Sequence, residues 1–334
     1  MIESIEVRNF KSIKRKYFPL KNLNILMGMN GMGKSSFIQI LLALRQSSNL
    51  FKGRLDLQGK YVEIGTTKDA LYQYAKNENL GIDIKFSDNN ISSLEFGYKI
   101  DADFFSVISK APIINQAQNG QPLFNTNFQY LNANRQAPSS IVTKNFTEVV
   151  ENRNIGNHGE YAAHYIEEFS GVVRTTQISS QHIKLDYTFL QPNFASTNHF
   201  SPENVGFGIT YGLPVVLTLL KAKEGDLIII ENPESHIHPR GQAELGKMIA
   251  IAAMNGVQII LETHSDHVLN GIRVAVKNEV ILHDKVIVFY FEKTIEQDEQ
   301  YSKITNVEID KYGELSDYPK NMLDEWGNQI MELI

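Results

Sequence analysis

Gly28-Met29-Asn30-Gly31-Met32-Gly33-Lys34-Ser35 fits the phosphate-loop pattern G-x-x-x-x-G-K-[ST] at every fixed position. Its flanks suit the motif. Leu23-Asn24-Ile25-Leu26-Met27 is a short apolar stretch that reads as a strand, and Ser36 to Leu44 reads as a helix. Glycines let successive backbone N–H groups curl around a phosphate without Cβ clashes. The N-terminus of the following helix adds a partial positive charge. Lys34 is expected to reach the β- and γ-phosphates of a bound nucleoside triphosphate, with the Ser35 hydroxyl on Mg²⁺. Asn30, Gly31, Met32, Gly33 and Ser36 complete the expected nucleotide contacts.

At 334 residues the chain is long enough for one large α/β domain or two smaller ones. An apolar content of 42% is enough for a sizeable core. The net charge of −6 is unlike that of a strongly cationic nucleic-acid binder, although a local basic patch would be compatible with it. With no cysteine there is no disulfide, thiolate metal site or thiol nucleophile, which suits a cytoplasmic location. Met1-Ile2-Glu3-Ser4 lacks the apolar core of a signal peptide. The longest apolar stretch, Ile209 to Leu220, is too short to span a bilayer, so no membrane association is expected.

Ser4 to Phe10 alternates as a strand does. The basic run Lys11-Ser12-Ile13-Lys14-Arg15-Lys16 reads as a solvated turn, with phosphate contact as the functional alternative. Ile82 to Phe86 and Ser93 to Tyr98, separated by Asp88-Asn89-Asn90, read as an antiparallel hairpin. Phe128 to Leu131 reads as a strand, with Arg135 in a polar loop after it that ends at Pro138, and Gly159 to Phe169 as a helix. Downstream, Asp226 to Glu231 and Val257 to Leu261 read as buried strands, and Val286 to Phe291 as a last strong one that Ile304 to Ile309 would pair with. Asn321 to Ile334 reads as a terminal helix.

The opening strand ending in Asn9-Phe10-Lys11-Ser12, a second strand and then Gly28 through Ser36 resemble the start of ABC-type ATPases of the SMC/RecF group, which includes OLD-like and related AAA-family bacterial ATPases. The resemblance implies roles further along. Asn204, Gly206 and Gly208, before the helix-like run to Leu220, stand where a signature segment would contact the γ-phosphate bound by another subunit. Glu231 ends a Walker B-like strand and would hold Mg²⁺ with Ser35. Asn232 occupies the position that normally carries the glutamate polarising the attacking water. It can orient water but cannot accept a proton near neutral pH, so hydrolysis would be slow or Glu234 would substitute as base. His264, in Glu262-Thr263-His264-Ser265, resembles the switch histidine that reports on the γ-phosphate.

Together these readings imply a P-loop NTPase of ABC-ATPase type. The fold class is α/β, a mixed, largely parallel sheet flanked by helices, with an antiparallel β-subdomain and an inserted helical lobe. One ABC-type domain is expected, with residues 1–100 and 200–334 as nucleotide-binding core and 101–199 as the inserted β/helical lobe. The implied function is an ATPase subunit that dimerises, or forms a higher oligomer, around ATP and controls a separate effector in bacterial defence or DNA maintenance. Nucleic-acid binding stays open. The alternatives are an ATP-binding sensor or scaffold with little hydrolysis, and a metal-dependent hydrolase built on His236, His238, His264, Asp266 and His267.

Overall fold

A computed structural model describes residues 1–47, 50, 53–88, 90–108, 120–137, 139–169, 175–179, 181–185, 201–204, 206–319, 322–323 and 330–333. Two six-stranded sheets and one three-stranded sheet organise them. The first sheet is antiparallel. It runs β2 (Ile13–Pro19), β1 (Ile2–Phe10), β5 (Asn79–Phe86), β6 (Ile91–Gly97), β7 (Phe104–Val107) and β4 (Arg54–Asp56). The second runs β15 (Glu299–Val307), β14 (Val286–Glu296), β3 (Leu23–Met27), β13 (Gln258–Glu262), β12 (Leu227–Glu231) and β8 (Phe128–Leu131). All its neighbours are parallel except the β14–β15 hairpin. The small sheet holds β10 (Thr175–Gln177), β11 (His182–Leu185) and β9 (Ile141–Thr143). The helices are α1 (Lys34–Gln46), α2 (Thr67–Ala70), α3 (Ala162–Phe169), α4 (Phe207–Lys221), α5 (Pro239–Met254) and α6 (Asp266–Lys277).

The parallel strands are largely apolar because both their faces are covered. Leu23, Ile25 and Met27 pack with α5 and α6 side chains such as Ile249 and Ile272. Leu26, Ile229 and Phe289 point the other way, into a core shared with Phe37 and Leu41 of α1 and with Val7, Phe18 and Ile82 of the antiparallel sheet. Helix α1 is thus held between the two large sheets, which fixes the loop that precedes it.

Helix α1 begins at Lys34, inside the motif, and runs to Gln46. The expected hairpin is β5–β6, although Asn89 of its turn lies outside the described residues. The run Lys11–Lys16 is mostly not a turn. Only Lys11 and Ser12 turn, and Ile13 onward is the edge strand β2, with Ile13 and Phe18 buried and Lys14 and Arg15 exposed. Charge on the outer face of an edge strand discourages edge-to-edge pairing, and here it hid the strand's alternation. From the stretch 101–199, β7 joins the antiparallel sheet and β8 edges the parallel one, while β9 to β11 lie beside α3. Among the described residues of the expected terminal helix, 330–333 are helical. Met322 and Leu323 form a bend instead, with Met322 buried in the core, and Trp326 lies outside the described residues.

Candidate functional site

The loop between β3 and α1 closes over its own backbone. Gly28 has φ 133°, and a Cβ there would lie 2.3 Å from the Phe291 carbonyl oxygen. Gly33 has φ 106°, and a Cβ there would meet the Ser302 hydroxyl at 2.2 Å. Both positions therefore admit glycine alone. The Ser302 hydroxyl, from β15, donates to Met32 O (2.6 Å) and lies 2.8 Å from the Ser12 hydroxyl, which is 3.2 Å from that of Ser36. A chain of three serines thus clamps the loop between β15 and α1. Lys34 is 3% exposed, and its Nζ donates to Gly28 O (2.7 Å) and Met29 O (2.9 Å). Burial pushes its pKa down, against the pull of Glu262 and Glu234. Asn30, Gly31 and Ser35 are exposed, Met32 is half-buried and Ser36 is buried.

The remaining groups sit at the C-terminal ends of the neighbouring parallel strands, where open α/β sheets carry their sites. Glu231 ends β12 in register with Glu262 at the end of β13, and Glu262 pairs in turn with Leu26 of β3. Glu231 Oε1 accepts from the Tyr130 hydroxyl of β8 (2.9 Å). Burial pushes the Glu231 carboxyl up, against hydrogen bonds from Tyr130 and Ala133 and the charge of Arg135. The Glu262 carboxyl is pushed up to about 7, by burial first and by Glu231 second, opposed by Lys34 and a Ser35 hydrogen bond. A cleft of about 460 Å³ borders the site, lined in part by Ser35, Gln39, Lys60, Tyr130, His158 and Glu231.

Asn232 begins a tight turn. Its φ is 43°, a left-handed conformation that asparagine tolerates better than most residues. Its N–H donates to Glu262 O (2.8 Å), and its carbonyl accepts from Arg135 Nη2 and from the Ser235 hydroxyl (3.0 Å). Arg135 is 2% exposed and also donates to Glu231 O (2.9 Å), so it fixes the turn through two carbonyls. The Asn232 side-chain Oδ1 is buried and has no partner among the described residues. Glu234 is tied to the segment Thr263-His264. Its two oxygens accept from the Thr263 hydroxyl (2.8 Å) and the His264 N–H (2.9 Å). His264 is exposed at the end of this tie, and desolvation and the Lys34 charge lower its pKa. Ser265 caps α6 and donates to Gln242 of α5 (2.5 Å).

Helix α4 begins after Gly206, its N-cap. Gly206 and Asn204 are exposed, while Val205 lies outside the described residues. The two glycines differ. A Cβ on Gly206 would enter open space, but one on Gly208 would lie 2.7 Å from the His236 carbonyl oxygen, where α4 packs on the turn after β12. The five residues of the metal-hydrolase alternative form no common site. Among the described residues, the one cluster with metal-ligand spacing is His164, Glu167 and Glu168, far along the chain from them. The His236 ring instead lies tilted against Tyr211, with centroids 4.5 Å apart, and His238 caps α5 by accepting from Arg240 N–H (3.3 Å).

The donors beside the loop are oxygens: the Ser35 hydroxyl, the Glu231 carboxylate, and Glu262 Oε2, which is buried and without a partner among the described residues. An all-oxygen set fits a hard cation such as Mg²⁺. Sequence reading missed Arg135, Tyr130 and Glu262. A lone arginine in the loop after a strand was the one local sign of the first; the other two fell inside stretches already read, Tyr130 in a strand and Glu262 before Thr263-His264-Ser265, with no role given to them.

A glycine loop before α1, carboxylates on adjacent strand ends and a Thr263-His264 segment tied to Glu234 fit a P-loop ATPase of the ABC type. The chain belongs to the family described as AAA domain, putative AbiEii toxin, Type IV TA system, whose model matches residues 23–270. Residues 281–333 match a second model, described only as a protein of unknown function. No curated protein matches the chain. Among solved structures it is similar to an Smc head bound to the C-terminal winged-helix domain of ScpA, at 14% identity and TM-score 0.58 over 93% of this chain and 98% of that one. It also aligns with the SMC head domain from Thermotoga maritima, at 11% identity and TM-score 0.49 over 92% and 99%. The first likeness supports the fold: an SMC-head-like mixed sheet with an antiparallel companion. No helix among the described residues is long and apolar enough to cross a membrane.

Proposed function

We propose that this chain binds ATP with Mg²⁺ at the loop of residues 28–35 and hydrolyses it slowly. The observation that carries this reading is the meeting of Lys34, Ser35, Glu231 and the Glu234–His264 tie at the ends of three adjacent parallel strands. Lys34 and the N–H groups opening α1 would hold the phosphates, and Ser35 and Glu231 would hold the cation, which supplies charge neutralisation when bound. Asn232 would orient the attacking water through its free Oδ1. Glu234 is a poor candidate for a free base, because both its oxygens already accept hydrogen bonds. The exposed N-terminus of α4, at Gly206, would meet the γ-phosphate of a second copy, giving an ATP-dependent dimer. The family description's mention of a putative toxin of a toxin–antitoxin system supports a place in bacterial defence, where the dimer would control a separate cytoplasmic effector.

A second reading, an ATP sensor with almost no turnover, is favoured by Asn232 in place of a carboxylate. Phosphate release from ATP and Mg²⁺, beside Lys34→Ala, Glu231→Gln and Asn232→Gly, separates the two. The ATPase reading expects turnover in the wild type that is lost in the first two variants. It expects Asn232→Gly, which suits the left-handed backbone, to fold normally and turn over more slowly. ATP binding with no release in the wild type would establish the sensor instead.

A further inference from the structure

Glu262 stands at the centre of the site and no motif accounts for it. Its backbone is fixed on both sides, by β12 through Glu231 and by β3 through Leu26. Its side chain is 6% exposed. Oε1 lies 3.8 Å from Lys34 Nζ. Oε2 has no partner among the described residues. A buried carboxylate oxygen left unpaired is costly. A hard cation held by the neighbouring oxygens would give Oε2 a partner, and a second carboxylate beside Glu231 would then stabilise rather than repel.

We propose that Glu262 is a third protein ligand of the Mg²⁺ held by Ser35 and Glu231, donating through Oε2. This rests on the ATP-binding reading above. The rival role is counter-ion to Lys34, which the 3.8 Å approach of Oε1 would also serve. The two differ in what they do without metal. A counter-ion shapes nucleotide affinity whether or not a cation is present. A metal ligand acts only when one is.

The test uses the full chain with Glu262→Gln, which keeps the side chain's volume, and Glu262→Asp, which keeps its charge on a shorter arm. Circular dichroism checks the fold. Mn²⁺ binding is followed by its EPR signal in the presence of a non-hydrolysable ATP analogue, and fluorescent ATP binding is measured in EDTA. Loss of a ligand is expected to weaken Mn²⁺ binding by about tenfold or more in Glu262→Gln, as losses around metal sites do, with a smaller loss in Glu262→Asp and unchanged nucleotide affinity in EDTA. If Glu262→Gln fails to fold, Glu262→Asp carries the test in the same direction. Unchanged Mn²⁺ affinity overturns the proposal, as does a loss of nucleotide affinity in EDTA as large as that with metal. A wild type that binds no nucleotide at all overturns the ATP-binding reading itself, which is a different failure.

Discussion

At the scale of single residues, the site crowds ionisable groups of both signs into a largely buried space. Lys34 is buried against two loop carbonyls and near Glu262, and Glu262 is buried against Lys34, Ser35 and Glu231. Burial and Glu231 raise the Glu262 pKa to about 7, so its protonated form is the one that folding favours. Its contribution to stability is therefore complete below its unfolded value of 4.5 and is lost as pH rises through about 7. Glu262→Gln cannot ionise. In EDTA it is expected to melt several degrees above the wild type at pH 8, with the gap narrowing towards pH 4.5. A gap that does not vary with pH in thermal melts would contradict this account. Asn232 illustrates how one letter carries two meanings. Read as sequence, it is a missing catalytic carboxylate. In the structure it is also a residue suited to φ 43°, so the turn has its own reason to keep asparagine.

Elements decide which of these residues meet. The strand, loop and helix around Lys34 were legible because the residue types that build them follow one another within a single short stretch. The β12 and β13 strands were legible from uninterrupted apolar runs, which mean burial on both faces. Strand β2 was misread because its outward face is charged, and the β14–β15 turn, with Gln297 and Asp298 both at positive φ, carries no glycine to announce it. Ser302, Tyr130 and Arg135 were invisible for a different reason. Each reaches the site from a strand or loop remote in sequence, and sheet order alone brings it there. Helix α4 offers an element-scale test. Gly206→Asp places a good N-cap where a Cβ meets open space, so the helix should be as stable as before or slightly more so. The same carboxylate would repel a phosphate arriving from a second copy. Light scattering after size exclusion with ATP is expected to show monomer for this variant and dimer for the wild type. A variant that still dimerises would remove the α4 N-terminus from the interface.

At the scale of the whole molecule, the two large sheets hold α1 between them in one shared core, against which Met32 of the preceding loop also packs. The hairpin of β14 and β15 adds a further restraint through Ser302 on Met32. The phosphate loop is thus built into the fold rather than attached to it. The order of motifs along the chain made this architecture readable. The stretch between them was far less so, because its short strands are shared between sheets rather than forming one recognisable unit. The central claim is that this buried, glycine-lined loop is a nucleotide cradle with Lys34 as its charge. Calorimetric titration of ATP and Mg²⁺ into the wild-type protein and into Lys34→Ala tests it most directly. The account predicts one saturable ATP site per chain in the wild type and an affinity for the variant too weak to measure, with its fold intact. A wild type that takes up no ATP, or a Lys34→Ala protein that binds it equally well, would contradict the account.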